Sequence, residues 1–154
     1  MKRASQIRAA GHWDANKAVD RVVLDAVERH RRRITLTGEL GTVFLLDLPQ
    51  ATALRDGDGL VLDDGSVIRV TGKPEPLTEI AAESPHALAR LAWHIGNRHI
   101  DVQVVGNKLR IRRDHVLEAM LRGLGAQLTP VETAFDPEPG AYQPHAHDNE
   151  RGDG

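Results

Sequence analysis

EPLTEIAAESPHALARLAWHIGNRHIDVQVVGNKLRIRRDHVLEAMLRGLGAQLTPVETAF, residues 75–135, is the stretch from which the fold can be read. Ser84-Pro85 is a helix start: Ser can cap, and Pro suits the first helical position, where no N–H is needed. Leu88, Leu91, Ala92 and Ile95 then recur at i, i+3, i+4 and i+7, one apolar face of a helix that should end near Gly96. Ile100, Val102 and Val104 alternate with polar residues, which predicts a strand. Gly106-Asn107 supplies a two-residue hairpin turn, and Leu109 and Ile111 mark the returning strand. Asp114 can cap a second helix whose apolar face is Leu117, Met120, Leu121 and Leu124, with Gly125 as its stop. Leu77–Ala81 and Leu128–Phe135 supply the outer strands. The order β-α-β-β-α-β is the ferredoxin-like split βαβ pattern, a four-stranded antiparallel sheet with both helices on one face.

Upstream, residues 1–74 read as β. Ile34–Thr37 and Val43–Leu46 are short β-rich runs, the second closed by Leu48-Pro49. The turn Asp56-Gly57-Asp58-Gly59 precedes Leu60–Leu62, and Asp63-Asp64-Gly65 precedes Val67, Ile68 and Val70. Val19, Val22, Val23, Ala26 and Val27 have helical spacing, but their β-branched density favours a strand. Downstream, residues 136–154 hold Pro, Gly, His and five acids against one Arg, the composition of a flexible acidic tail. The expected architecture is therefore α+β: a small N-terminal β domain over 1–74, a ferredoxin-like βαββαβ domain over 75–135, and a tail over 136–154.

Composition excludes several chemistries. With no Cys among the 154 residues, thiolate metal sites and thiol catalysis are ruled out. A formal net charge of −2 is wrong for an electrostatic nucleic-acid binder. No apolar run approaches a membrane span, and Met1–Ala10 lacks the apolar core of a secretory signal, so a cytoplasmic protein is expected. Phosphate-loop, His-Glu-x-x-His and Gly-x-Ser-x-Gly motifs are absent, which argues against an enzyme.

Eight His remain as candidate ligands. His99 follows Gly96-Asn97-Arg98 at a helix-to-strand junction, where a side chain can be rigidly held yet exposed; it reads as a metal ligand or as a surface or capping His. His94 lies on the helix itself, at a spacing that does not share a face with His99. His115 opens the second helix and reads equally as a ligand or an ordinary surface His. His145-x-His147, with Asp148 and Glu150, reads equally as a pair of tail imidazoles that bind divalent metal weakly or as incidental His on a solvated tail. Arg29-His30-Arg31-Arg32-Arg33 is a basic run that suits an acidic partner or simply water.

Three strings resemble the UreE family of urease accessory proteins. Trp93-His94-Ile95-Gly96-Asn97-Arg98-His99 is similar to its H-x-G-N-R-H segment, residues 109–126 (LRIRRDHVLEAMLRGLGA) to its DHVL-x-x-M-L stretch, and residues 135–142 (FDPEPGAY) to its F-x-P-E-x-G-A-Y ending. The resemblance spans about residues 20–142. It implies an N-terminal domain that meets peptide or partner protein and a C-terminal domain that dimerises. It further implies Ni²⁺ bound by His99 from both chains at the two-fold, with His145 and His147 completing the coordination. Zn²⁺ or Cu²⁺ could substitute in vitro. The implied partners are the urease GTPase UreG and the urease pre-activation complex. Relatives with His-x-His at positions 113–115 would use both; here Arg113 replaces the first, leaving His115 alone. The competing reading is a nucleic-acid- or protein-binding module. It is disfavoured because strands 100–104 and 108–112 offer no aromatic platform for bases. A small acid-base enzyme using His94, His99 and Asp101 rests on proximity alone.

Overall fold

The computed structural model describes residues 1–140 and divides after Lys73, with a second compact unit running from Pro74 to Glu138. The first unit is one six-stranded sheet. Its strands are β1 (Lys2–Arg8), β2 (Asp20–Leu24), β3 (His30–Thr37), β4 (Val43–Ala53), β5 (Gly59–Leu62) and β6 (Val67–Gly72), ordered β2-β6-β5-β1-β4-β3. Pairs β1–β4 and β2–β6 are parallel, the others antiparallel. Alternating residues Phe44, Leu46 and Leu48, with Val22, Leu60, Ile68 and Val70, form its buried core. Of the Val19–Val27 stretch, Asp20–Leu24 form the edge strand β2, as their β-branched content indicates, while Ala26 and Val27 lie in a turn.

Three local expectations over residues 1–74 need correction. Lys2–Arg8 was not read as a strand, yet β1 lies inside the sheet; only Ala4 in it is fully buried, so no apolar alternation betrays it. Strand β4 does not stop at Leu48-Pro49 but continues to Ala53. The β3–β4 ladder shifts register between Arg31/Arg33, so no ladder hydrogen bond is demanded of Pro49. Arg29 does not belong to the basic surface run: it is 1% exposed, and its guanidinium donates to the Leu24 and Leu54 carbonyls at 3.1 Å each. Arg31–Arg33 do lie exposed on the edge strand β3.

The second unit runs β7 (Glu75–Ala81), α1 (Pro85–Asn97), β8 (Gln103–Val105), β9 (Lys108–Arg112), α2 (His115–Gly123) and β10 (Gln127–Thr133). Its sheet order, β10-β7-β9-β8, is antiparallel throughout and is that of the ferredoxin-like fold. Ser84 accepts from Ala87 N–H and Asp114 from Leu117 N–H, each at 3.0 Å, so both expected caps form. Leu91, Ile95, Leu117 and Leu121 bury against Ile80, Leu109 and Ile111 on one face of the sheet. Leu124, read as part of that face, is 43% exposed.

Two boundaries differ from expectation, and both matter for the site. Strand β8 begins only at Gln103, leaving Ile100–Val102 outside the ladder. Strand β10 ends at Thr133, and residues 134–138 form a strap instead. In the strap Phe135 is fully buried under the Arg112 guanidinium, which lies 4.7 Å from its ring centre. Asp136 N–H donates to the Gln103 side chain at 3.1 Å and Glu138 N–H to the Val102 carbonyl at 2.7 Å. The tail expected from 136 onward thus begins as a tied segment; from 141 it lies outside the described residues.

The start of α2 is fixed by a buried carboxylate. Glu118, 2% exposed, accepts from both Arg113 guanidinium nitrogens at 3.2 Å and from Asp114 N–H at 2.9 Å. Burial pushes its carboxyl up, but Arg113 and the Asp114 N–H outweigh it and hold it below the ordinary Glu range. A carboxyl depressed in the folded state contributes its full stability above its unfolded pKa, about 4.3, and loses it as pH falls through the lower folded value. Glu118→Gln should therefore flatten the acid limb of stability against pH. Urea midpoints measured across that range test this; parallel wild-type and variant curves would contradict it.

Candidate metal centre

Helix α1 ends at Asn97 with Arg98 as its C-cap, and His99 is the next residue. Ile100 N–H donates to the Ile95 carbonyl at 3.4 Å and His99 N–H to the Gly96 carbonyl at 3.0 Å, the paired bonds of a Schellman stop. That stop requires the left-handed conformation at its first non-helical residue. His99 has φ 57°, and among the described residues no other non-glycine has positive φ. Helix α2 ends in the same motif: Ala126 N–H donates to Leu121 carbonyl and Gly125 N–H to Arg122 carbonyl, both at 3.0 Å. There the left-handed position is Gly125, φ 90°, as steric economy dictates. The two helix stops thus share one geometry and differ in the residue at the left-handed position, glycine in one and histidine in the other.

The imidazole is exposed at the rim of a hollow of about 280 Å³ lined by His99, Ile100, Asp101, Arg112, Arg113 and Asp114. The charged groups around it are already engaged. Arg112 donates to Asp101 at 2.9 Å and lies 3.9 Å from Glu75, Arg113 is held by Glu118, and Asp114 caps α2. Asp101 is thus a partner of Arg112 rather than a second ligand to hand.

The other expected site residues are placed differently. His115 is exposed as the first residue of α2, next to the hollow in sequence but not among the residues lining it. Arg113 turns to Glu118. His145 and His147 lie outside the described residues. His94 is half-buried and meets Trp93 edge-on, ring centres 5.0 Å apart. Among the described residues no three His or carboxylates converge to hold a metal ion. No described helix is long and apolar enough to cross a membrane.

Fold and site together define a two-unit α+β protein in which, among the described residues, one exposed imidazole sits at positive φ at a helix end. The family models give that class a narrower name: "UreE urease accessory protein, N-terminal domain" matches residues 2–72 and "UreE urease accessory protein, C-terminal domain" residues 75–154. The urease accessory protein UreE of Rhodopseudomonas palustris (strain HaA2) is 55% identical over 148 residues, covering 96% of this chain and 68% of its own. UreE of Bradyrhizobium sp. (strain ORS 278) is 54% identical over 147 residues, 96% of this chain and 70% of its own. UreE of Chelativorans sp. (strain BNC1) is 49% identical over 148 residues, 96% and 91% respectively. The chain belongs to the UreE family of urease accessory proteins, and such a protein is an accessory factor, not an enzyme.

The helix-stop argument has a direct test. At a left-handed position any L side chain costs about 1 kcal/mol or more relative to glycine. His99→Gly should be more stable than His99→Ala by about that amount, with wild type no more stable than the Gly variant. Thermal unfolding of the three proteins decides it. Equal stability of the Gly and Ala variants would show that the left-handed geometry is not held in solution.

Proposed function

We propose that this chain is a nickel carrier for urease assembly, a homodimer in which one Ni²⁺ is gripped by His99 from each of two copies. One observation carries the reading: a strained, exposed histidine without two further ligands beside it among the described residues. A single imidazole cannot select a divalent cation, so the remaining donors have to come from elsewhere. A second copy supplies an identical one, and a dimer contact around His99 would bring both rings to one ion at the two-fold axis. His145 and His147 of the tail complete the set, and His115 contributes at most a weaker peripheral site. Neither Zn²⁺ nor Cu²⁺ is excluded by an imidazole site, and both substitute in vitro.

The chemistry suits cargo rather than a resident cofactor. Nickel stands high among divalent metals for nitrogen donors, so imidazoles hold it without thiolate. An incompletely coordinated surface site leaves positions open for an acceptor to attack. The recipients are the urease GTPase UreG and the urease pre-activation complex, with residues 1–74 as the domain that docks partners and 75–135 as the metal-binding and dimerising domain. Such a protein works in the cytoplasm.

Calorimetric titration with Ni²⁺, alongside mass measurement in solution, should find about one tight ion per dimer, lost on His99→Ala. Undiminished affinity in that variant would remove the site. The dimer contact has its own test. Trp93 is 64% exposed on α1, less than two turns before His99. An exposed Trp of this kind is a natural interface anchor. Trp93→Ala should weaken dimerisation by about 2 kcal/mol or more. An unchanged dimer dissociation constant in analytical ultracentrifugation would place the contact elsewhere.

A further inference from the structure

We propose that Arg112 is the positioning residue of the His99 centre, acting through Asp101 on the connection that carries the imidazole. The inference rests on the reading of His99 as a metal ligand.

The connection from His99 to Val102 has no regular structure and no ladder partner, so nothing in the sheet itself fixes it. Instead each of its three residues after His99 has a separate tie. Ile100 N–H reaches back to the Ile95 carbonyl in the helix stop, 3.4 Å. The Asp101 carboxylate accepts from the Arg112 guanidinium, 2.9 Å. The Val102 carbonyl accepts from Glu138 N–H of the strap, 2.7 Å. The middle tie is the only one of these three made by side chains.

Arg112 is suited to hold that tie. Its guanidinium lies over Phe135, which is fully buried, and Glu75 flanks it at 3.9 Å. A guanidinium stacked on an aromatic face keeps its charge and its planar donor array in one orientation, which an ammonium would not. The chain of contacts therefore runs from a buried ring, to a fixed cation, to Asp101, to the backbone two residues after the ligand. Both Arg112 and Asp101 line the hollow beside His99. Their side chains are 40% and 59% exposed, so the ion pair adds little to global stability. Its consequence falls on where the imidazole points, not on whether the unit folds.

This role differs from ligation. Partners beyond the ligands that orient them typically change metal affinity by about 10–100-fold when removed. The test is nickel calorimetry on wild type, His99→Ala, Arg112→Met, Asp101→Ala and the Arg112→Met/Asp101→Ala double variant, with thermal unfolding of each. Each single variant should bind Ni²⁺ about tenfold more weakly. The double variant should be no weaker than either single one, because both remove one tie. If Arg112→Met does not fold, Asp101→Ala, which leaves the stack on Phe135 intact, carries the same test. Wild-type affinity in both single variants, with His99→Ala still losing the metal, overturns this inference and leaves the ligand assignment standing. Lower melting temperatures with unchanged affinity overturn it too, since the pair would then be merely structural. Undiminished binding in His99→Ala removes the ligand assignment itself.

Discussion

A histidine in the left-handed conformation at the end of α1 is the constraint around which the C-terminal unit is arranged. The Schellman stop ties the backbone at His99 to the helix through two hydrogen bonds, His99 N–H to the Gly96 carbonyl and Ile100 N–H to the Ile95 carbonyl. Glycine would fit that backbone without strain and does so at the end of α2. Strain that persists where a cheaper residue exists points to a role for the side chain. Two elements beside it hold the connection after His99 in place, the strap that carries Phe135 and the Arg112–Asp101 pair, while the buried Glu118 engages Arg113.

The electrostatics fit temporary custody of a cation. Two arginines border the hollow beside His99, and two free guanidiniums there would repel a divalent ion. Each is matched by carboxylates, Arg112 by Asp101 and Glu75 and Arg113 by Glu118. The carboxylates in turn are committed to those arginines, so they do not cage the metal. On the proposed reading the grip would depend on imidazoles alone, and neutral nitrogen donors release metal in acid and to better acceptors.

Much of this was legible in the sequence. The C-terminal unit could be read from Ser84-Pro85, Gly106-Asn107, Asp114 and Gly125, because caps and turns are local chemistry and each residue acts where it stands. His99 could be singled out from its place after Gly96-Asn97-Arg98, although its φ could not. What escaped were features that depend on residues far apart in the chain. Strand β1 is central yet carries little apolar signal, since its neighbours β4 and β5 provide the core. Arg29 looks like part of a charge run, but the Leu24 carbonyl and the Leu54 carbonyl 25 residues away claim it. Ile100 and Val102 alternate like a strand, but the strap and Arg112 take the contacts a ladder would have made. Phe135 looked like the last residue of a strand and is instead the ring under Arg112.

The most direct measurement is a crystal structure of the nickel-loaded protein, with the ion located by anomalous scattering at its absorption edge. The account expects one nickel peak on the two-fold axis of a dimer, within bonding distance of two His99 rings, one from each subunit, with each His99 still at positive φ. A nickel ion bound away from His99, or two His99 rings on opposite sides of the dimer that exists in solution, would contradict it.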